Sequence, residues 1–274
     1  MPTIDTRDGV GLHVKDMGEG RPVVLTHGWS LSADFWDYQS VALAEAGYRV
    51  IAYDRRGFGR SDQPWRGYDY DSLADDLADV MRALGVEGAT LVGYSMGSGE
   101  VARYMSRHGG RGVAQAALVA PIAPRLLRSE DNPHGFDSAK FDRDTADLKA
   151  DRAGFFRSYF KSMYGVGLLT SPVGAATLEW TWTLAMQAGL HPLLATRAAF
   201  RDTDFRPDLP AFTVPTLVVV GKEDTAAPPD ATGRAAAAGI AGARLIEYEG
   251  AAHGLVITHK DRLTQDLLEF LRQA

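Results

Sequence analysis

Six short runs of β-branched and aliphatic residues, separated by longer segments of helical period, set the strongest limit on this fold. They lie at residues 22–26, 48–53, 90–93, 116–120, 215–220 and 244–248. A continuous apolar run of this length, closed by turn residues, predicts a strand buried on both faces. The last run keeps Arg244 and Glu247 and is placed at an edge. Between the runs, Leu73, Leu77, Val80, Met81 and Leu84 fall on one helical face, as do Leu263, Leu267, Phe270 and Leu271. Strands alternating with helices predict an α/β architecture: a mainly parallel, doubly wound sheet covered on both faces.

The chain has 274 residues, enough for one large domain or one domain with an insertion. A chain of this size buries roughly 70–75% of its unfolded surface and needs no covalent staples. There are no cysteines, which excludes disulfides, thiolate metal sites and a cysteine nucleophile. The net charge of −6 argues against nucleic acid as a partner, because phosphate contacts need clustered Lys and Arg. The N-terminal segment carries Asp5, Arg7 and Asp8 without an apolar run, which argues against a signal peptide. The longest uncharged stretch, 180–196, holds Thr, Gln, His and Pro and is too polar to span a membrane. A cytoplasmic protein without membrane attachment is expected.

One segment breaks the alternation. Residues 124–200 contain no strand-like run, begin polar and charged, then turn aromatic with Phe155, Phe156, Tyr159, Phe160, Tyr164, Trp180 and Trp182. Helices inserted there at the carboxyl edge of the sheet would form a lid over a bound ligand. An extra helical layer or an oligomer interface is the plainer reading. The expected division is a core of 1–123 and 201–274 with a helical lid insertion at 124–200. No repeat or low-complexity tract interrupts it.

Gly93-Tyr94-Ser95-Met96-Gly97 matches G-x-S-x-G, and it sits between a strand-like run and the helix-like segment from Glu100. That setting forces a serine into a sharp turn with its hydroxyl exposed, and the flanking glycines remove side chains that would collide. A buried structural serine is the alternative. Gly97-Ser-Gly-Glu-Val-Ala102 also fits a dinucleotide-binding pattern, but the next strand ends at Ala120-Pro121 without the acidic residue that pattern requires.

A serine hydroxyl becomes a nucleophile only with a base and a group that orients the base. His253 lies in the small-residue loop 250–254, and Asp224 follows directly on the run ending at Val220. The order Ser95, Asp224, His253 is that of the α/β-hydrolase fold, and all three fall at carboxyl ends of strands. Glu223 is the competing acid. His13, His108, His134, His191 and His259 lie in polar, terminal or inserted segments, and no H-E-x-x-H metal motif is present. In this fold the loop after the first parallel strand, here His27-Gly-Trp-Ser30, supplies one oxyanion N–H and the residue after the nucleophile the other. Those donors are the main-chain N–H groups of Trp29 and Met96, with His27 bracing the loop.

The similarity runs further than the triad. The segment 53–65 (YDRRGFGRSDQPW), the acidic helix start 71–79, the stretch 101–104 and the stretch 202–208 (DTDFRPD) resemble the bacterial arylesterases, also known as cofactor-free haloperoxidases or perhydrolases. The resemblance covers nearly the whole chain and is weakest at 124–200. It implies Ser95, Asp224 and His253 as the triad, Trp29 and Met96 as oxyanion donors, and Ile122, Tyr159, Met163 and Ala226 as the acyl pocket. It further implies a small-molecule ester substrate, no cofactor or metal, and a homo-oligomer built as a trimer or a dimer of trimers. Two positions depart from the pattern. Ser30 stands where perhydrolases carry Pro, and Pro229 stands where a Phe is common.

The function expected is ester hydrolysis through an acyl-enzyme. Perhydrolysis, or opening of lactams or C–C bonds by the same triad, is the near alternative. A non-catalytic ligand receptor on the same fold is the remote one.

Overall fold

The computed structural model describes residues 3–273, so the first two residues of the N-terminal segment lie outside the described residues. Eight strands form one sheet in the order β1-β2-β4-β3-β5-β6-β7-β8. They are β1 (Thr3–Asp5), β2 (Gly11–Met17), β3 (Arg21–Thr26), β4 (Tyr48–Tyr53), β5 (Ala89–Tyr94), β6 (Val113–Val119), β7 (Thr216–Gly221) and β8 (Arg244–Tyr248). From β4 to β8 across the sheet, every neighbouring pair is parallel. β1 and β2 add an antiparallel ribbon at the other edge. The six apolar runs correspond to β3 through β8, and β8 is an edge strand as its charge indicates.

Helices α1 (Asp37–Glu45), α2 (Tyr70–Ala83) and α3 (Met96–Arg107) connect the first strands. Leu73, Leu77, Val80 and Met81 of α2 are buried on the predicted face, and Asp69 caps its start by accepting from the Ser72 N–H at 2.9 Å. Four α-helices and a short 3-10 turn (Arg206–Ala211) occupy the chain between β6 and β7, the helices being α4 (Ser138–Ala150), α5 (Arg152–Met163), α6 (Ala175–Gln187) and α7 (Leu190–Asp202). α8 (Gly233–Gly239), α9 (Leu255–Thr258) and α10 (Lys260–Leu271) complete the fold. Among the described residues no helix is long and apolar enough to cross a membrane.

The strand interiors are the core. Val23, Val24, Leu25, Leu91, Leu118, Leu217, Val218 and Val219 have no exposed surface. Each such side chain contributes roughly 1.5–3 kcal/mol of burial. The register levels the carboxyl ends of the strands. Thr26 pairs with Gly93, Tyr94 with Val119, and Gly221 with Tyr248. The loops after β3, β5, β7 and β8 therefore emerge at one edge, where open α/β sheets place their ligands.

Candidate active site

Ser95 turns the chain from β5 into α3 with φ 52°, in the left-handed region that a non-glycine residue rarely enters. The neighbouring glycines make this turn possible. A Cβ on Gly93 would stand 2.5 Å from the Gly97 carbonyl oxygen, and one on Gly97 would stand 2.6 Å from the Thr26 carbonyl oxygen. The elbow thus packs backbone against backbone, with no room for side chains.

The two partners arrive from the next strands. His253 Nε2 lies 2.8 Å from Ser95 Oγ, and His253 Nδ1 lies 2.7 Å from Asp224 Oδ2. A proton on Nδ1 satisfies the carboxylate and leaves Nε2 to accept from the serine hydroxyl. Asp224 Oδ1 accepts from the N–H groups of Ala226 and Ala227, both at 2.8 Å, so the carboxylate cannot swing away. All three side chains are buried. Glu223, the competing acid, points to solvent.

The imidazole loop is held by groups the sequence did not single out. Tyr94 donates its hydroxyl to the His253 carbonyl at 3.2 Å, and Gly254 donates its N–H to the Met163 carbonyl at 2.7 Å. The main chain of Met163, the last residue of α5, thus supports this loop. Ile122, Tyr159 and Ala226 line the cavity at Ser95, together with Trp29, Met96, Ser95 and His253. The space amounts to about 500 Å³ including its mouth. Leu126, Phe136, Phe141 and Phe200 add apolar walls, and Lys140, Asp144 and Arg197 add charge.

Trp29 and Met96 present backbone N–H groups that donate to no other group among the described residues. Met96 is the first residue of α3, whose end favours negative charge. The Trp29 side chain is clamped by the helices above the sheet. Its Nε1 donates to the Leu193 carbonyl at 3.1 Å, and its ring packs edge-on against Phe155, Tyr159 and Phe200.

Below this loop lies a buried polar network. Arg55 donates its backbone N–H to His27 Nε2 at 3.0 Å and its Nη2 to the His27 carbonyl at 2.8 Å. His27 Nε2 is therefore an acceptor, and Nδ1 carries the proton toward the Gly28 carbonyl at 2.8 Å. Burial, reinforced by the Arg55 charge, holds the His27 imidazole well below its usual range, so it is neutral. Arg55 pairs with Glu100 at 2.6 Å, and Tyr53 donates to the same carboxyl. Burial pulls the Arg55 guanidinium down to about 10 and pushes the Glu100 carboxyl up. This network fixes His27 as a brace and gives it no access to substrate.

A strained serine at the end of a parallel strand, linked through a histidine to an aspartate on the following turns, defines a serine hydrolase of the α/β class. Comparison with known proteins agrees. Residues 21–260 match the family described by the alpha/beta hydrolase fold. The chain is 41% identical to a non-heme chloroperoxidase of Kitasatospora aureofaciens, with all of both chains covered. It is 37% identical to a bifunctional esterase/perhydrolase of Acinetobacter calcoaceticus, over 99% of this chain and 100% of that one. The crystal structure of a bromoperoxidase from Bacillus anthracis superposes with a TM-score of 0.95 at 38% identity, covering 99% of each chain. The chain belongs to the α/β-hydrolase family, among its non-heme haloperoxidases and esterases, and is a hydrolase.

Proposed function

We propose that this hydrolase is a serine carboxylesterase that cleaves small or aryl esters through an acyl-enzyme on Ser95. One observation carries the proposal: the unbroken hydrogen-bond chain Asp224–His253–Ser95 faces an apolar cavity beside two free N–H groups. Ser95 Oγ attacks the ester carbonyl while His253 Nε2 takes its proton. The Trp29 and Met96 N–H groups hold the oxyanion, each donor being worth roughly 2.7–4 kcal/mol in the transition state. His253 then protonates the leaving alcohol, and the alcohol departs. Water attacks the acyl carbonyl with the same histidine as base, which releases the acid and restores Ser95. Asp224 stays ionised, holds the imidazole tautomer and stabilises the imidazolium.

Hydrogen peroxide in place of that water would give a peracid, and the names of the relatives keep this acceptor in view. Ser30 supports ranking water first. It takes φ 64°, a conformation closed to proline, whose ring locks φ near −65°. The loop behind the oxyanion donor thus has a shape that the proline-bearing loops cannot share. The test is the partition of one acyl-enzyme, formed from p-nitrophenyl acetate, between water and added peroxide. Acetate as the main product supports the esterase, whereas predominant peracetate would reverse the ranking.

A further inference from the structure

The cavity at Ser95 is more polar than a neutral acyl chain requires. Arg197, on α7, is 6% exposed and lines this cavity, with its guanidinium carbon 5.3 Å from the Trp29 ring and 5.3 Å from the Phe141 ring. Its Nη2 donates to Asp144 Oδ2 at 2.8 Å and its Nε to Thr145 Oγ1 at 3.2 Å. The two N–H groups on Nη1 donate to nothing among the described residues. Lys140 Nζ reaches the same Asp144 oxygen at 2.7 Å. Two cations share one carboxylate, so the cluster keeps one positive charge. Tyr159, also in the wall, makes no hydrogen bond through its hydroxyl among the described residues. Of the other carboxylates nearby, Asp142 pairs with Arg201 at 3.2 Å, Asp224 is held by His253 at 2.7 Å, and Asp147 and Asp151 stand in the adjoining exposed groove, where water and salt screen them.

A largely apolar cavity whose wall holds a guanidinium with two unpaired N–H groups, sharing its carboxylate with a lysine, fits a ligand that is apolar along its length and anionic at its end. We infer that the acyl part of the preferred ester carries a carboxylate, as in the half-esters of dicarboxylic acids, and that Arg197 with Lys140 receives it. This rests on the serine-esterase reading and narrows it. Arg197 is a binding residue here, and the ester carbonyl at Ser95 is cleaved as described above. A purely structural role for Arg197, tying α7 to α4, is the competing account.

The measurement is a ratio of kcat/KM values on one enzyme preparation, so the amount of folded protein cancels. Monomethyl succinate, glutarate and adipate are each compared with the methyl ester in which an isopropyl group replaces the carboxylate. The wild-type ratio exceeds one for at least one chain length. Arg197→Gln lowers it by roughly ten- to a hundred-fold, the range of a buried charge-assisted hydrogen bond. Lys140→Gln, at a half-exposed site, lowers it by up to about five-fold and decides the matter if Arg197→Gln does not fold. Ratios at or below one for all three lengths, or a ratio that these substitutions leave in place, would overturn the inference while the esterase reading stands. Failure of that reading has a different signature: wild type cleaves neither ester of any pair, or Ser95→Ala cleaves both as wild type does. The inference then falls with it.

Discussion

Asp224 and His253, 29 positions apart on successive turns at the sheet edge, meet in a 2.7 Å hydrogen bond whose carboxylate is fixed by two backbone donors. Glu223, one residue away, has its side chain in solvent. Asp224→Asn should keep the geometry but favour the wrong imidazole tautomer, lowering kcat by about 10⁴-fold. Glu223→Gln should change kcat by less than two-fold. Steady-state kinetics of the two variants on one ester checks both, and the reverse order would assign the acid to Glu223.

Gly97 sets a packing prediction. Its absent Cβ would lie 2.6 Å from the Thr26 carbonyl oxygen, a contact with backbone that cannot rotate away. Gly97→Ala should destabilise the fold by roughly 1–3 kcal/mol. The melting temperature should fall at about 2–4 °C per kcal/mol for a chain of this size, and esterase activity should fall with it. Gly174→Ala is the control, since a Cβ there meets nothing within 4 Å and the backbone has ordinary φ. Equal melting temperatures for both variants would contradict the account of the elbow.

His27 makes stability depend on pH in a stated direction. Burial and the Arg55 charge depress its folded value well below 6.5, whereas the unfolded chain has the ordinary value. As pH falls below about 6.5 the unfolded state takes up a proton that the folded state refuses, so stability is lost toward acid. The slope from this group approaches about 1.4 kcal/mol per pH unit. Denaturant unfolding between pH 7 and 5 should show a slope steeper in wild type than in His27→Gln by an amount approaching this figure, the shifted His13, His259 and Asp76 contributing equally to both proteins. Parallel profiles for the two proteins would mean that His27 is protonated in the folded state.

Much of this was legible in the chain because the carriers were local. Strands β3 to β8 are continuous apolar runs, and Ser95, Asp224 and His253 each fall within five positions of the end of such a run. β1 and β2 were not read as strands, because β1 is three residues long and β2 interleaves Leu12 and Val14 with His13, Lys15 and Asp16. Lys15 is nonetheless buried, and it pairs with Asp34 and Asp37, which lie about twenty positions ahead. The same limit hid the charged end of the cavity. Arg197 and Asp144 are 53 positions apart on separate helices, and no spacing rule joins them.

The central claim is that Ser95 carries the acyl group, and turnover of p-nitrophenyl acetate by wild type and Ser95→Ala in parallel tests it most directly. The account predicts a loss of about 10⁵–10⁶-fold in kcat for the variant, with both proteins equally folded. An acetylated Ser95 should also be trapped from wild type by acid quench and found by peptide mass analysis. Wild-type turnover by Ser95→Ala, with no acetyl group on Ser95, would contradict it.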